Sequence, residues 1–162
     1  MLINKNLLQL TTKKDQELLL EVCRLISISY DYAQTLPRGK VPTYRCHTIC
    51  RALAIHVPEL KVCDGIYVGA ELTKEKRPTD LQARQARHSW LVTPDDAIID
   101  PYPVGVIACG SPLLMPARGR YAPFGKGLYI TDEAVASLVM TSKRKQETKI
   151  LTGLLEKAKK QA

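Results

Sequence analysis

The chain has 162 residues, of which 45% are hydrophobic and 25% charged, with a formal net charge of +8. These values are typical of one globular domain with a proper core, and they argue against a low-complexity or fibrous chain. Because no stretch of about 18 or more apolar residues occurs, a membrane span is not expected.

Two helices are predicted in the first third of the chain. Thr12 and Asp15 give a Thr-x-x-Asp capping signal for a helix over residues 12–33, whose apolar residues share one face. A loop with two prolines and a glycine follows. A second helix begins near Cys46 and ends at Pro58, because apolar residues recur at helical spacing between them.

Short runs rich in β-branched and aromatic residues predict the strands. Residues 62–69 form one strand, and residues 89–93 and 97–100 form a hairpin across the turn at 94–96. Residues 73–87 are polar and charged without an apolar period, which predicts an exposed loop or a surface helix.

The rest of the chain is predicted to be a long loop, a returning strand and helices. Residues 101–127 contain five prolines and five glycines, which indicates loop around short extended pieces. Residues 128–130 return to the sheet, and residues 131–133 cap a further helix. The order of helices and strands predicts an α+β fold, with one domain over 1–140 and a basic amphipathic helix over 141–162 that packs on or extends it.

The positive charge is concentrated in that last helix. Residues 141–162 carry seven basic and two acidic groups, a net charge of +5, which leaves +3 for the rest of the chain. A basic tail can attract nucleic acid or an acidic protein, but it is more often a solvated helix face. Since the sequence has no nucleic-acid-binding motif, nucleic acid is possible but not favoured as a partner.

The cysteines favour a reducing compartment. There are five, an odd number, so they cannot all pair within the chain. The first 16 residues lack the long apolar region and cleavage site of a secretion signal. We therefore expect reduced thiols in the cytoplasm, with delivery into another cell left open, and at least one thiol available as nucleophile or ligand.

Cys46 is the first candidate for chemistry, because it lies where a proline-containing loop enters a helix. Unsatisfied backbone N–H groups and the positive end of the helix dipole favour the reactive thiolate at such a position. The same N–H groups can stabilise an oxyanion during acyl transfer. The alternative is a packing role, since free cysteine is among the most buried residue types.

The hairpin brings a histidine and a carboxylate together. A three-residue turn pairs residues whose numbers sum to 190, so that Trp90 faces Asp100 and His88 faces Tyr102. His88 and Asp100 are then diagonal neighbours within reach of a hydrogen bond, and a register change of one residue would separate them. Such a carboxylate would fix the imidazole tautomer, as a catalytic triad requires. Alternatively, Asp100 and the proline after it simply open a turn.

Taken in order, these pieces resemble the transglutaminase-like branch of the papain-like cysteine enzymes. In that family a cysteine opens a helix, an arginine lies near the helix end, a strand ends in glycine, and a His-x-Trp strand and a strand running into Asp-Pro follow. The matching residues, over roughly residues 44–104, are Cys46, the segment 51–53, the strand 62–68, the segment 88–91 and the segment 98–101.

The resemblance implies a papain-like fold, with helices packed on a small antiparallel sheet. It implies a thiol-dependent hydrolase or acyltransferase in which Cys46 attacks an amide or acyl carbonyl, His88 moves protons and Asp100 holds His88. Water as acceptor gives a peptidase or deamidase, and an amine gives a transglutaminase-like cross-linker. No metal or organic cofactor is expected, and the partner is a protein or peptide substrate.

The sequence departs from the family beside the nucleophile, where Arg45 and His47 replace small or aromatic neighbours. Their positive charges can lower the pKa of the thiol, or they can mark a reshaped or inactive site. Candidates for the substrate cleft are Trp90, Tyr44 and Tyr102, although a lone tryptophan is more often a core residue. The candidate oxyanion donors are Gln34, Thr43 and Tyr44.

Two other readings of the sequence remain open. Cysteines and histidines cluster at Cys46, His47, Cys50, His56 and Cys63, but their spacing is not that of a structural zinc site, so no metal is expected. The other reading is a catalytically inactive papain-like binding module whose basic tail contacts nucleic acid or an acidic protein. An enzyme needs a thiolate at Cys46 and a binding module does not, so the ionisation of Cys46 distinguishes the two.

Overall fold

The computed structural model describes residues 11–71, 82–102, 113–115 and 128–162. In chain order, its elements are α1 (Lys13–Gln34), α2 (Cys46–His56), β1 (Lys61–Glu71), β2 (Gln82–Val92), β3 (Ile98–Asp100), β4 (Leu113–Met115), β5 (Leu128–Thr131), α3 (Ala134–Val139) and α4 (Ser142–Gln161). The fold is therefore α+β, as the sequence predicts.

The strands form one antiparallel sheet in the order β4-β3-β2-β1-β5. Its centre is the long pair of β1 and β2, which runs from Lys61 opposite Val92 to Glu71 opposite Gln82. Strand β5 pairs with the free side of β1, so the returning strand predicted at residues 128–130 is confirmed. Strand β3 pairs with β2, and β4 pairs with β3.

One prediction about this sheet is wrong. Residues 73–87 were expected to form a loop or a surface helix, but residues 82–87 belong to β2. The backbone of residues 82–87 pairs with β1. These hydrogen bonds between strands make the segment a strand although its sequence shows no apolar alternation. Residues 73–81, and all of 103–127 except β4, lie outside the described residues.

The caps of the first two helices agree with the sequence. At the start of α1 the Thr12 hydroxyl accepts from the Asp15 N–H, and the Asp15 carboxylate accepts from the Thr12 N–H at 3.0 Å. This reciprocal capping box fixes where α1 begins. Helix α2 begins at Cys46, and the Thr48 hydroxyl accepts from the Arg45 N–H at 3.3 Å, which ties down the backbone that carries the thiol.

The main core lies between the helices and one face of the sheet. It joins residues of α1, α2 and α4 to Leu91 of β2 and Ile99 of β3. Helix α4 buries Leu151, Leu154, Leu155 and Ala158, so the basic C-terminal helix is part of this core. Burying one such leucine stabilises a fold by about 1.5–3 kcal/mol, and these contacts hold α2 in place. No helix in the described part of the chain is long and apolar enough to cross a membrane.

A second, aromatic core lies on the other face of the sheet. It contains Tyr67, Trp90, Ile98 and Tyr129. Trp90 and Leu91 are successive strand residues and therefore point to opposite faces, which separates the two cores. The Trp90 and Tyr129 rings meet edge to face with centroids 5.1 Å apart.

Glycine is required at position 65 for this packing. A Cβ atom added to Gly65 would clash with the carbonyl oxygen of Ile130 and lie 2.8 Å from the Trp90 ring. Because glycine has no Cβ, β5 and the indole can both approach the β1 backbone.

Candidate active site

Cys46 is the first residue of α2, and its thiol is half-buried. Burial raises the pKa of the thiol, but the interactions with His47 and then with His88 outweigh that effect and lower the pKa to about 6. Cys46 is therefore a thiolate at neutral pH, which is the nucleophilic form of cysteine.

His88 and Asp100 are joined by a hydrogen bond with no exposure to solvent. His88 Nε2 lies 2.7 Å from Asp100 Oδ2, and both side chains are 0% exposed. The hairpin register that brings them together pairs Leu91 with Ile99 and Val92 with Ile98, which confirms the predicted sum of 190. The turn chemistry thus sets the diagonal geometry of this pair.

Asp100 changes the protonation of His88. Burial lowers the pKa of the imidazole, but the charge of Asp100, its hydrogen bond and the neighbouring Cys46 raise it to about 10. With the pKa of Cys46 near 6, the two groups form a thiolate–imidazolium pair between those pH values.

One nitrogen of the His88 imidazole is not used by Asp100. Nε2 is used by Asp100, and Nδ1 is buried with no hydrogen-bond partner in the described part of the chain. Cys46 is the group besides Asp100 that shifts the pKa of His88. Because Asp100 binds Nε2, Nδ1 is the atom from which His88 can deliver a proton. Its lack of a partner is compatible with that role, since catalytic hydrogen bonds often tighten only when substrate binds.

Asp100 is held by two further donors. The Tyr129 hydroxyl donates to Oδ2 at 2.5 Å, and the Tyr102 backbone N–H donates to Oδ1 at 3.0 Å. Burial and the charge of Asp100 raise the pKa of Tyr129 well above its usual value, so the phenol stays a donor. Three donors satisfy the buried carboxylate and fix its orientation.

A second hydrogen-bonded chain ends at His47, the residue after Cys46. His47 Nδ1 lies 2.7 Å from Ser89 Oγ, and the Ser89 hydroxyl donates to Asp64 Oδ1 at 2.5 Å. Arg51 donates to Asp64 Oδ2 at 2.8 Å and to the His47 carbonyl at 3.0 Å. Because Ser89 donates its proton to Asp64, its oxygen accepts from His47, which places a proton on Nδ1.

Cys50, the cysteine one turn after Cys46, has a structural role. It is completely buried, and its thiol donates to the Ser89 carbonyl at 3.3 Å. Burial, followed by the charge of Asp100, raises the pKa of Cys50 well above its usual value. Cys50 therefore remains a neutral thiol that ties α2 to β2.

The three candidate cleft residues lie in different surroundings. Trp90 is 2% exposed and packs in the aromatic core, with its ring centroid 6.2 Å from that of His88. It supports the histidine from the core and does not line an open cleft. The Tyr44 hydroxyl donates to Ser29 at 3.0 Å, so this side chain packs against α1. Tyr102 is 49% exposed directly after Asp100 and is the candidate that substrate can reach.

The candidate oxyanion donors are also placed by the structure. Gln34 and Thr43 are exposed, and neither makes a hydrogen bond to the site within the described residues. The backbone N–H groups of Cys46 and His47 open α2 and have no acceptor within the helix. These two N–H groups are the donors best placed to meet an oxyanion formed beside the thiol.

The cysteines and histidines of the segment 46–63 do not converge on a common point. His56 Nε2 lies 3.1 Å from the Thr152 carbonyl, whereas His47 bonds to Ser89. Among the described residues, no group of three or more histidine, cysteine or acidic side chains is arranged to hold a metal ion.

Sequence reasoning missed four residues of the two hydrogen-bonded chains as site residues: Arg51, Asp64, Ser89 and Tyr129. Arg51, Asp64 and Ser89 lie within the segments that carry the family resemblance. The resemblance depends on the order of these segments and predicts no contact for the three side chains. The available signal was a polar serine between two large strand residues, since a serine in a buried strand needs a partner.

Comparison with protein-family models, with curated proteins and with solved structures finds no match for this chain. We therefore derive the function from the chemistry that the geometry of the site permits.

Proposed function

We propose that the protein is a cysteine-dependent hydrolase or acyltransferase with a papain-like fold, acting on an amide or acyl bond through Cys46, His88 and Asp100. The observation that carries this proposal is the pairing of a half-buried, low-pKa thiol with an imidazole that a buried carboxylate holds at 2.7 Å. A thiolate, an acid and an orienting group are what nucleophilic acyl transfer requires.

The first half of the reaction forms a thioester. The Cys46 thiolate attacks the carbonyl carbon, and the electron pair of the C=O bond moves to oxygen, where the N–H groups at the start of α2 stabilise it. The His88 imidazolium then gives its proton to the leaving nitrogen as the C–N bond breaks. The products are a free amine or ammonia and an acyl group on Cys46.

The second half releases the acyl group. Neutral His88 takes a proton from water or from an amine as that acceptor attacks the thioester carbonyl, and the C–S bond then breaks to return the thiolate. Water gives a peptidase or deamidase reaction, and an amine gives a cross-link.

The structure also favours this reading over an inactive binding module. A module that only binds a partner has no use for a thiol with its pKa lowered to about 6 or for a buried His–Asp pair. Such perturbed groups cluster at catalytic sites. A thiolate nucleophile, together with reduced Cys23 and Cys50, also suits a cytoplasmic location.

The proposal is tested by alkylating the native protein with iodoacetamide from about pH 5 to about pH 9 and mapping the modified cysteines by mass spectrometry. Cys46 should react with a midpoint near pH 6. Cys23 is the internal control, because burial raises the pKa of its half-buried thiol. If Cys46 titrates near the ordinary value of about 8.5, the nucleophile assignment is wrong.

The reaction class is then read from products. Casein serves as the protein probe, with and without a fluorescent primary amine. Ammonia release alone indicates deamidation, incorporation of the amine indicates cross-linking, and new N-termini indicate peptidase activity. Each product must disappear in Cys46→Ala, whereas Cys23→Ala should retain it.

A further inference from the structure

A basic groove lies beside the candidate site, where the start of α2, strand β2 and the start of α4 meet. It encloses about 350 Å³, and its walls include Arg45, Arg87, Leu138, Lys143, Arg144 and Glu147. Four cationic side chains against one carboxylate give these walls a formal charge of +3. Such a concave cationic surface concentrates anions from solution.

The groove lies next to the start of α2, which carries Cys46. Arg45 directly precedes Cys46, and Arg87 directly precedes His88. Because successive strand residues point to opposite faces, Arg87 lies on the face of β2 that carries Ser89, whose hydroxyl bonds to His47 beside Cys46.

Part of the positive charge is uncompensated. Arg45 contacts Glu147 at 3.7 Å, and Arg144 donates to the Val139 carbonyl at 2.7 Å. Arg87 and Lys143 are exposed and form no ion pair with any described residue. These two side chains are therefore available to a ligand.

We propose that this groove binds an acidic side chain of the substrate, so that the enzyme acts on proteins or peptides carrying Asp or Glu near the reacting amide. The inference rests on the proposed function, to which it adds the substrate class. Arg87 and Lys143 bind the carboxylate, and Leu138, which is 53% exposed, packs against its aliphatic stem.

The groove fits an acidic peptide better than nucleic acid. No described lining residue is an aromatic on which a base can stack. A volume of about 350 Å³ accommodates one or two side chains.

The charge of the groove is tested with two reagents that form the same S–C bond at Cys46 and release iodide, namely anionic iodoacetate and neutral iodoacetamide. The measured quantity is the ratio of their rate constants. The double variant Arg87→Gln/Lys143→Gln should lower this ratio roughly twofold to fivefold, as expected for two unit charges at about 8–10 Å in water. The matched control, Lys157→Gln/Lys159→Gln, removes the same charge from the exposed far end of α4 and should not change it.

A second experiment measures the same ratio in the wild-type protein. Raising the salt from about 0.02 M to about 0.5 M should lower the same ratio, because exposed charges are screened. A ratio that is unchanged in both experiments overturns the proposal. The proposed function fails separately, if iodoacetamide alone shows no low-pH reactivity at Cys46.

The identity of the ligand is tested by protection of Cys46 from iodoacetamide. The competitors are an acetylated, amidated hexapeptide with two central Glu residues, its Gln counterpart, and a thymidine oligonucleotide of about 15 nucleotides. We expect the Glu peptide to protect best, and its advantage to be lost in Arg87→Gln/Lys143→Gln. Equal protection by the Glu and Gln peptides, or stronger protection by the oligonucleotide, contradicts an acidic peptide as the occupant.

Discussion

Two hydrogen-bonded chains end next to Cys46, one at His88 and one at His47, and they differ in what surrounds their carboxylate. Asp100 is 0% exposed, and its donors are an imidazole, a phenol and a backbone N–H. Asp64 is 10% exposed, and the Arg51 guanidinium binds it directly. The charge of Asp100 therefore acts on His88, whereas the charge of Asp64 is shared with an arginine.

The difference shows how one motif serves two purposes. A histidine linked to an aspartate becomes a charged acid when nothing else neutralises the carboxylate, as for His88, whose pKa rises to about 10. When an arginine and a serine intervene, as for His47, the chain holds the ring in one position. In the proposed reaction, therefore, we expect His88 to transfer protons and His47 to position the groups around the thiolate.

The largest expected effect comes from removing the acid. His88→Ala should lower kcat/KM at least about a thousandfold, because triad members act as a unit. The alkylation midpoint of Cys46 should also rise from near pH 6, since His88 helps to lower the thiol pKa. The control is His56→Ala, which removes a histidine bonded to the Thr152 carbonyl. An unchanged midpoint in His88→Ala would show that the two groups do not interact.

Neutralising the carboxylate should have the next largest effect. Asp100→Asn keeps the side-chain size but removes the charge that raises the pKa of His88, so that pKa should fall from about 10 toward its ordinary value of about 6.5. The alkaline limb of the pH profile of kcat/KM should move down, with a rate loss of up to about 10⁴-fold. An alkaline limb that stays near pH 10 contradicts control of His88 by Asp100.

Breaking the second chain should give a smaller effect of a different kind. Ser89→Ala leaves Asp64 Oδ1 and His47 Nδ1 without their partner, at a cost of about 1–3 kcal/mol in the free energy of unfolding. The Cys46 midpoint should rise slightly, because His47 is no longer held against the thiolate. Urea unfolding and iodoacetamide titration measure the two changes.

A matched control exists on α1 for this variant. Ser29 is equally buried and bonds to the Ile26 carbonyl and the Tyr44 hydroxyl, away from the thiol. Ser29→Ala should reduce stability without moving the Cys46 midpoint. If both serine variants move the midpoint alike, the effect is general loosening and the positioning role of His47 is wrong.

The smallest effect should come from the phenol. Tyr129→Phe removes one donor from Asp100, which leaves more of the carboxylate charge acting on His88. The alkaline limb of the pH profile of kcat/KM should therefore move to higher pH, in the opposite direction from Asp100→Asn. The rate itself should change at most several-fold. Tyr67→Phe is the control, because its ring packs on Tyr129 at 5.1 Å. A downward shift in Tyr129→Phe contradicts this account of the hydrogen bond.

The contacts that the sequence could predict are those set by local chemistry. The capping box of α1, the helix start at Cys46 and the 190 register each depend on a few neighbouring residues. The register alone was enough to bring His88 and Asp100 to one face.

The contacts that the sequence could not predict depend on which strands lie side by side. Tyr129 reaches Asp100 across 29 residues because β5 pairs with β1, and no local pattern encodes that choice. Asp64 and Ser89 face each other in the β1–β2 register, and residues 82–87 extend β2 for the same reason. Pairing between distant strands decides these contacts, so propensity gave the wrong structure for residues 82–87.

Gly65 shows that a residue without a side chain can determine how closely other groups pack around His88. A methyl group there has no room between the Ile130 carbonyl and the Trp90 ring, so any side chain must displace β5 or the indole. Both flank the imidazole, since Trp90 lies 6.2 Å and Tyr129 6.0 Å from His88 between ring centroids. A library of substitutions selected for the proposed activity should therefore retain only glycine at position 65, and should tolerate change there as little as at Cys46, His88 and Asp100, although Gly65 has no side chain to take part in the reaction.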